Sequence, residues 1–345
     1  MKKYLSYIII ILILGGAATW LIINKTTGTS QLTEKAFAIE NTKDITKIIL
    51  TDTDKKRIEL KDSNGNWIVN GRYPARQELM ESLFEEFKRA TVLSPVPRAA
   101  HDNVIRQMMA QNIKVEVYNG KEQEPVKVFY VGGPTPDQTG TYMLLEVDEK
   151  ISERPYIVYI PGLRAYLTPR FGTIEENWRS RVLFSYNPAD IKSVSIEYPG
   201  DEKKSFFLNR LTKDSFEVRA KEEKFAINQH YEQKYIQQYL SFYSSVSIEA
   251  FDNSYALKDS VMQTIPYCMI TVTTNDSATN RTKIFYMPAS KRSKTQYDIK
   301  GNPMVYDVDH YHAAINDNKD FAVIQYYVFG KLLRSYQDFF FKPGA

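Results

Sequence analysis

The chain aligns with itself, and that internal match constrains its fold more than any other feature. Phe171-Gly-Thr-Ile174 through Arg181-Val-Leu183 matches Phe321-Ala-Val-Ile324 through Lys331-Leu-Leu333 without a gap. Lys127-Val-Phe-Tyr130 recurs as Lys283-Ile-Phe-Tyr286, and Asp44-Ile45 as Asp190-Ile191. An apolar set at Leu79, Met80, Leu83, Phe84 and Phe87 returns with the same spacing at Tyr235, Ile236, Tyr239, Leu240 and Tyr243. Several independent blocks in fixed order predict two copies of one unit, residues 37–183 and 184–345, with the boundary at Leu183–Phe184.

Each copy reads as α+β. Asp44–Leu50, Arg57–Leu60 and Trp67–Val69 are short strands joined by the turn signals Asp52-Thr-Asp54 and Asp62-Ser-Asn-Gly65, which predicts an antiparallel meander. Pro74 introduces a helix over Arg76–Arg89, whose apolar stripe has helical period. A shorter helix over Asp102–Ala110 leads to strands at Lys114–Tyr118, Val126–Tyr130, Thr141–Leu145 and Tyr156–Ile160. The second copy repeats the order, with strands at Asp190–Ile196, Ser205–Leu208 and Phe216–Val218, a helix over Gln229–Tyr243, and strands at Met269–Thr273 and Lys283–Met287. Pro303-Met-Val-Tyr306 is set against Pro155-Tyr-Ile-Val158. The expected unit is a mainly antiparallel sheet carrying one or two packed helices.

Ahead of the repeats, Tyr4 to Ile23 carries no charged residue. At about 1.5 Å per residue such a run spans a hydrocarbon core of roughly 30 Å. It predicts a transmembrane helix within residues 1–24, in contact with lipid over 4–23, and a flexible linker over 25–36. Lys2 and Lys3 precede the run and Lys25 follows it, so the positive-inside rule keeps the N-terminus cytoplasmic. A cleaved signal peptide is the rival reading, although signal h-regions are shorter, about 7–15 residues, and Trp20-Leu-Ile-Ile23 continues the apolar run past Ala17-Ala18. The sole cysteine, Cys268, lies far from the N-terminus, which excludes a lipoprotein and an internal disulfide. Lys and Arg (45) nearly balance Asp and Glu (41), with no basic block, and this excludes nucleic acid as the expected partner.

No constellation specifies a reaction, so no catalytic residue, cofactor or resident metal is expected. Asp307-Val-Asp-His-Tyr-His312 comes nearest to a metal motif, but on a strand His310 and His312 share one face while Asp307 and Asp309 take the other. Gly132-Gly133-Pro134 lacks the helix N-terminus and lysine of a phosphate loop. Cys268 sits in an apolar strand-like stretch, where a buried inert thiol is the default. Asp137-Gln-Thr-Gly-Thr-Tyr142 and Pro161-Gly-Leu-Arg-Ala-Tyr-Leu-Thr-Pro-Arg170 combine turns with tyrosine and arginine, types enriched at interface hot spots. The candidate interaction surface is therefore Gly132, Gly133, Thr139, Tyr142, Gly162, Arg164, Tyr166 and Arg170, with tight turns as the bland alternative.

An N-terminal anchor, the Asp44-Ile-Thr-Lys-Ile48 strand, Gly132-Gly133, Thr139-Gly-Thr-Tyr142 and the closing Trp178-Arg-Ser-Arg181 together resemble the domain of unknown function 4340 family of bacterial envelope proteins. Its members are often encoded with ABC-type transporter permeases and with auxiliary subunits like those of gliding-motility systems. The resemblance implies a non-enzymatic accessory or scaffold subunit of an inner-membrane complex. The permease or auxiliary subunit would be its partner, and its soluble repeats would lie on the periplasmic side. Two further expectations stand beside it: an envelope protein binding a glycan or peptide through the Gly132–Tyr142 and Pro161–Arg170 loops, and a metal-dependent enzyme using His310 and His312.

Overall fold

Ile48 and Leu50 share one face of a strand, and both are fully buried. The strand is Ile45–Asp52 (β1), which pairs antiparallel with Arg57–Ser63 (β2) and is followed by Asn66–Val69 (β3) and Tyr73–Pro74 (β4). In β2, Ile58 and Leu60 point inward between outward Arg57, Glu59 and Lys61, the period-two pattern of a strand with one buried face. Its turn to β3 is the two-residue Asn64-Gly65 loop, both residues at positive φ, as a hairpin with matching twist requires.

The computed structural model describes residues 34–120, 123–228 and 231–340. The expected membrane span over 4–23 and linker residues 25–33 lie outside those residues. Among the described residues no helix is long and apolar enough to cross a membrane. Glu34 and Ala36, at the end of the expected linker, are tied into the first unit: the Glu34 carbonyl accepts from Val92 N–H, and the Ala36 carbonyl from Lys127 Nζ at 2.7 Å.

The first unit continues through helix Gln77–Arg89 (α1), strand Thr91–Pro95 (β5) and helix Arg98–Ala110 (α2). Strands Ile113–Asn119 (β6), Lys127–Pro134 (β7), Thr141–Val147 (β8), Lys150–Ile151 (β9) and Tyr156–Tyr159 (β10) follow, then the one-turn helix Glu175–Trp178 (α3). The strands form an antiparallel sheet in the order β4-β3-β2-β1-β6-β7-β8-β10-β5, with β9 paired to β8. Met80, Leu83 and Phe87 of α1 bury against Ile48, Val117, Phe129 and Val131 on one face. Val104 and Met108 of α2 pack on the other face against Leu144, Tyr142 and Ile157. Full burial of such a side chain stabilises by about 1.5–3 kcal/mol.

The chain divides between Arg179 and Ser180. Leu183 and Phe184, the expected boundary, therefore fall inside the second unit, in strand Val182–Phe184 (β11). Strands Ile191–Glu197 (β12), Phe206–Arg210 (β13) and Phe216–Ala220 (β14) precede helix Gln233–Ser241 (α4). Two short strands, Val246–Ser247 (β15) and Ala250–Phe251 (β16), and a short helix, Lys258–Met262 (α5), lead to Cys268–Thr274 (β17), Thr279–Pro288 (β18), Tyr306–Ile315 (β19), Asp320–Gln325 (β20) and helix Tyr326–Phe329 (α6). Their antiparallel sheet runs β14-β13-β12-β17-β18-β19-β20-β16, while β11 pairs with β15 separately. Ile236, Tyr239 and Leu240 of α4 bury against Val194, Ile196, Ile270 and Ile284.

The chain is thus built of mainly antiparallel sheets with few helices. Three of the sequence matches do not hold at the level of elements. Phe171 to Ile174 leaves a 3-10 turn, whereas Phe321 to Ile324 is strand β20. Tyr156 to Val158 is strand β10, whereas Pro303 and Met304 precede strand β19. Lys127 lies opposite Val117 but Lys283 lies opposite Met269, which puts core-facing Phe129 out of phase with Phe285. Short apolar runs recur in any β-rich chain, and an odd shift of register turns a strand over.

Candidate functional site

The expected surface in the first unit is closed by its own hydrogen bonds. Between β7 and β8, Gly140 N–H donates to Thr135 Oγ1 at 2.9 Å, and Asp137 accepts from the hydroxyls of Thr135 and Thr139. These bonds, the Thr135 hydroxyl first, hold the Asp137 carboxyl down at about 2. Gly132 is buried; its carbonyl accepts from Thr168 Oγ1 at 2.6 Å, and Leu167 N–H donates to Thr141 Oγ1 at 2.7 Å. The two loops therefore do meet, through Gly132 and Thr168.

The eight candidate residues are otherwise dispersed in role. Tyr142 packs under α2, and Gly162 takes φ of +85° in a turn closed by Leu163 N–H on the Ile160 carbonyl. Arg170 turns inward to Glu86 of α1. Thr139 and Arg164 are exposed, while Gly133 and Tyr166 are half-buried. The turns hold the surface together, and the side chains of Thr139 and Arg170 are already engaged within it.

A different group converges in the second unit. Tyr286 and Tyr311 are direct partners across the β18–β19 ladder. The register shifts between Tyr286 and Pro288, and this irregularity brings Tyr306 over Tyr286, rings stacked at 4.6 Å. Tyr267, just before β17, lies 4.9 Å from Tyr286 and 5.6 Å from Tyr311 between ring centroids, and Tyr326 of α6 lies 6.3 Å from Tyr311. With Pro303, Met304, Val305 and Val308 these five rings line an open cleft of about 630 Å³. Val305 and Tyr326 are substantially exposed, at 71% and 49%. Among the described residues none of the five phenol hydroxyls has a hydrogen-bond partner. Burial raises the Tyr267 hydroxyl, and pushes that of Tyr311 up to about 12, so both remain protonated donors.

One carboxylate lines this cleft. Asp307 Oδ1 accepts from the N–H groups of Asp309 and His310 at 2.8 and 2.9 Å and sits 3.2 Å from His310 Nδ1. Burial opposes ionisation of Asp307, but these bonds and one from Ser293 outweigh it and lower its pKa. Asp307 thus lies beside His310, not on the opposite side of the strand, because the chain is irregular at that point. His312 goes elsewhere: it is buried against the rings of Tyr255 and Phe321, at 4.8 and 5.0 Å, and burial lowers its pKa. Hence His310 and His312 do not converge. Among the described residues no cluster of three or more His, Cys, Asp or Glu could hold a metal ion.

Sequence reasoning passed over the tyrosine row. Its only signal was the abundance of tyrosine, 24 residues, since the five members come from four segments.

A family model described as domain of unknown function (DUF4340) matches residues 70–263. That span contains all eight candidate residues of the first unit and ends just before the first tyrosine of the cleft. No curated protein and no solved structure matches the chain.

Proposed function

The chain belongs to the DUF4340 family, and on that footing we propose that it works by binding and not by catalysis, as an accessory subunit of a bacterial membrane complex. The complex would be an ABC-type transporter, as the resemblance implies. The span over 4–23 would anchor the protein in the inner membrane with its N-terminus cytoplasmic and both units on the periplasmic side. The observation that carries the reading is the tyrosine-lined cleft: large rings with unused hydroxyls at a partly exposed surface are what a recognition site needs.

Duplication is part of this proposal, and the register of the ladders supports it better than the sequence blocks do. In each unit an antiparallel meander is followed by a helix, and a later strand returns to pair with the first strand of the meander. Gly120 N–H donates to the Asp44 carbonyl, as Asn275 N–H does to that of Asp190. Ile39 N–H donates to the Phe87 carbonyl, as Tyr186 N–H does to that of Tyr243. Two copies of a sheet with different surfaces suit a protein that must hold a partner and be held itself.

Crosslinking in intact cells, followed by purification through a C-terminal tag and mass spectrometry, tests the proposal. Recovery of a transporter permease or its auxiliary subunit is expected. Recovery of no integral membrane protein would sink it.

A further inference from the structure

We propose that the tyrosine cleft of the second unit binds a proline-rich segment of a protein partner, held in the polyproline II conformation. The inference rests on the binding role proposed above and names the chemistry of what is bound.

Charge narrows the occupant first. Asp307 is the one charged residue on the lining, and its Oδ1 is already engaged by two backbone N–H groups and His310, with a further bond from Ser293. An anionic or cationic ligand would therefore lose water without meeting a free counter-charge. Ring geometry leaves no slot for an ammonium group between the paired faces. A ligand sandwiched between two faces needs them about twice 3.5 Å apart. The near-parallel pairs Tyr286–Tyr306 and Tyr267–Tyr311 stand only 4.6 and 5.6 Å apart, so they fill each other's faces. The occupant must lie across the row.

The polar complement then selects among neutral ligands. The cleft offers phenol hydroxyls on an apolar floor, and no amide side chain or free carboxylate. A sugar brings many hydroxyl donors that need such acceptors. A polyproline II strand brings apolar ring faces, free carbonyl acceptors and no imide N–H. Its recognition by aromatic grooves uses this complementarity, with little ordering entropy to overcome.

Register adds an independent observation. Setting Ile48 of β1 on Val194 of β12 places Asn112, Gly133 and Thr141 where the second unit has Tyr267, Tyr286 and Tyr311. In the first unit Thr141 Oγ1 is taken by the Leu167 N–H, and the Asn112 amide donates to the Met108 carbonyl at 2.7 Å. The same end of the sheet is thus sealed in one unit and furnished with rings in the other.

The test uses the full-length protein in detergent and a fluorescein-labelled decaproline peptide, read by fluorescence anisotropy. Saturable binding is expected, at least tenfold weaker in Tyr286→Ala and Tyr306→Ala, and weaker by a smaller factor in Tyr286→Phe. Both residues are more than 40% exposed, so the alanine variants keep the fold, which circular dichroism verifies. No binding, binding unchanged in the tyrosine variants, equal binding of a glycine-serine peptide, or binding of a chito-oligosaccharide instead would each overturn the inference. Copurification of a membrane complex is unaffected by any of these results, so the two proposals fail separately.

Discussion

Arg170 places Nη1 3.0 Å from Oε1 of Glu86 and donates to Ser82 Oγ at 2.8 Å, which fastens a 3-10 turn to the middle of α1. Glu86 is only 6% exposed, and its second oxygen, Oε2, has no hydrogen bond among the described residues. Burial pushes its carboxyl up to about 7, while Arg170 and the Ser82 hydroxyl pull the other way without prevailing.

This pair makes stability pH-dependent near neutrality. The folded state holds the Glu86 proton more tightly than the unfolded state does. The stabilising contribution is therefore complete below the ordinary value of 4.5 and is lost as pH rises through about 7. The full swing is on the order of 3 kcal/mol. Thermal melts at pH 5 and pH 8 should show the wild type losing ground to Glu86→Gln at the higher pH. An identical gap between the two proteins at both pH values would contradict this.

The adjacent glycines of β7 should behave in opposite ways. A Cβ at Gly132 would stand 2.8 Å from Met108 Cγ and 3.1 Å from the Tyr142 carbonyl oxygen, whereas one at Gly133 meets nothing within 4 Å. Gly132→Ala should cost about 1–3 kcal/mol in urea unfolding as an overpacked core does. Gly133→Ala should fall within about 1 kcal/mol of wild type and on the stabilising side. Equal losses in both variants would mean that α2 does not pack on Gly132.

Cys268 is fully buried, and burial raises its thiol well above the usual range. A thiol reagent should leave the native protein unlabelled and modify it stoichiometrically in denaturant. Labelling that follows denaturant concentration would then report opening of the second unit's core. Fast labelling of the folded protein would place β17 at the surface.

Helices were legible because their stripes repeat with helical period: Met80, Leu83 and Phe87 bury as their spacing predicts, as do Ile236, Tyr239 and Leu240. The first meander was legible from alternation and from Asn64-Gly65. Strand β5 is not legible in the sequence because it ends in Pro95, a residue that breaks most strands; β5 is an edge strand, where proline is tolerated. The cleft was illegible for another reason. Tyr286 meets Tyr311 only through a cross-strand register, and Tyr306 joins them only through the irregularity after Tyr286. Neither is a property of any local stretch.

The central position of β1 has a consequence for how the chain acquires its structure. Its partner β2 follows at once through a tight turn, but its other partner, β6, arrives only after β3 to β5 and both helices have been made. Strand β12 waits in the same way for β17. Local pairings close quickly and distant ones slowly. A ribosome therefore releases each meander with one edge of its best hydrophobic strand unsatisfied, the edge most prone to pairing with a wrong chain. Synthesis of the intervening helices sets how long that exposure lasts.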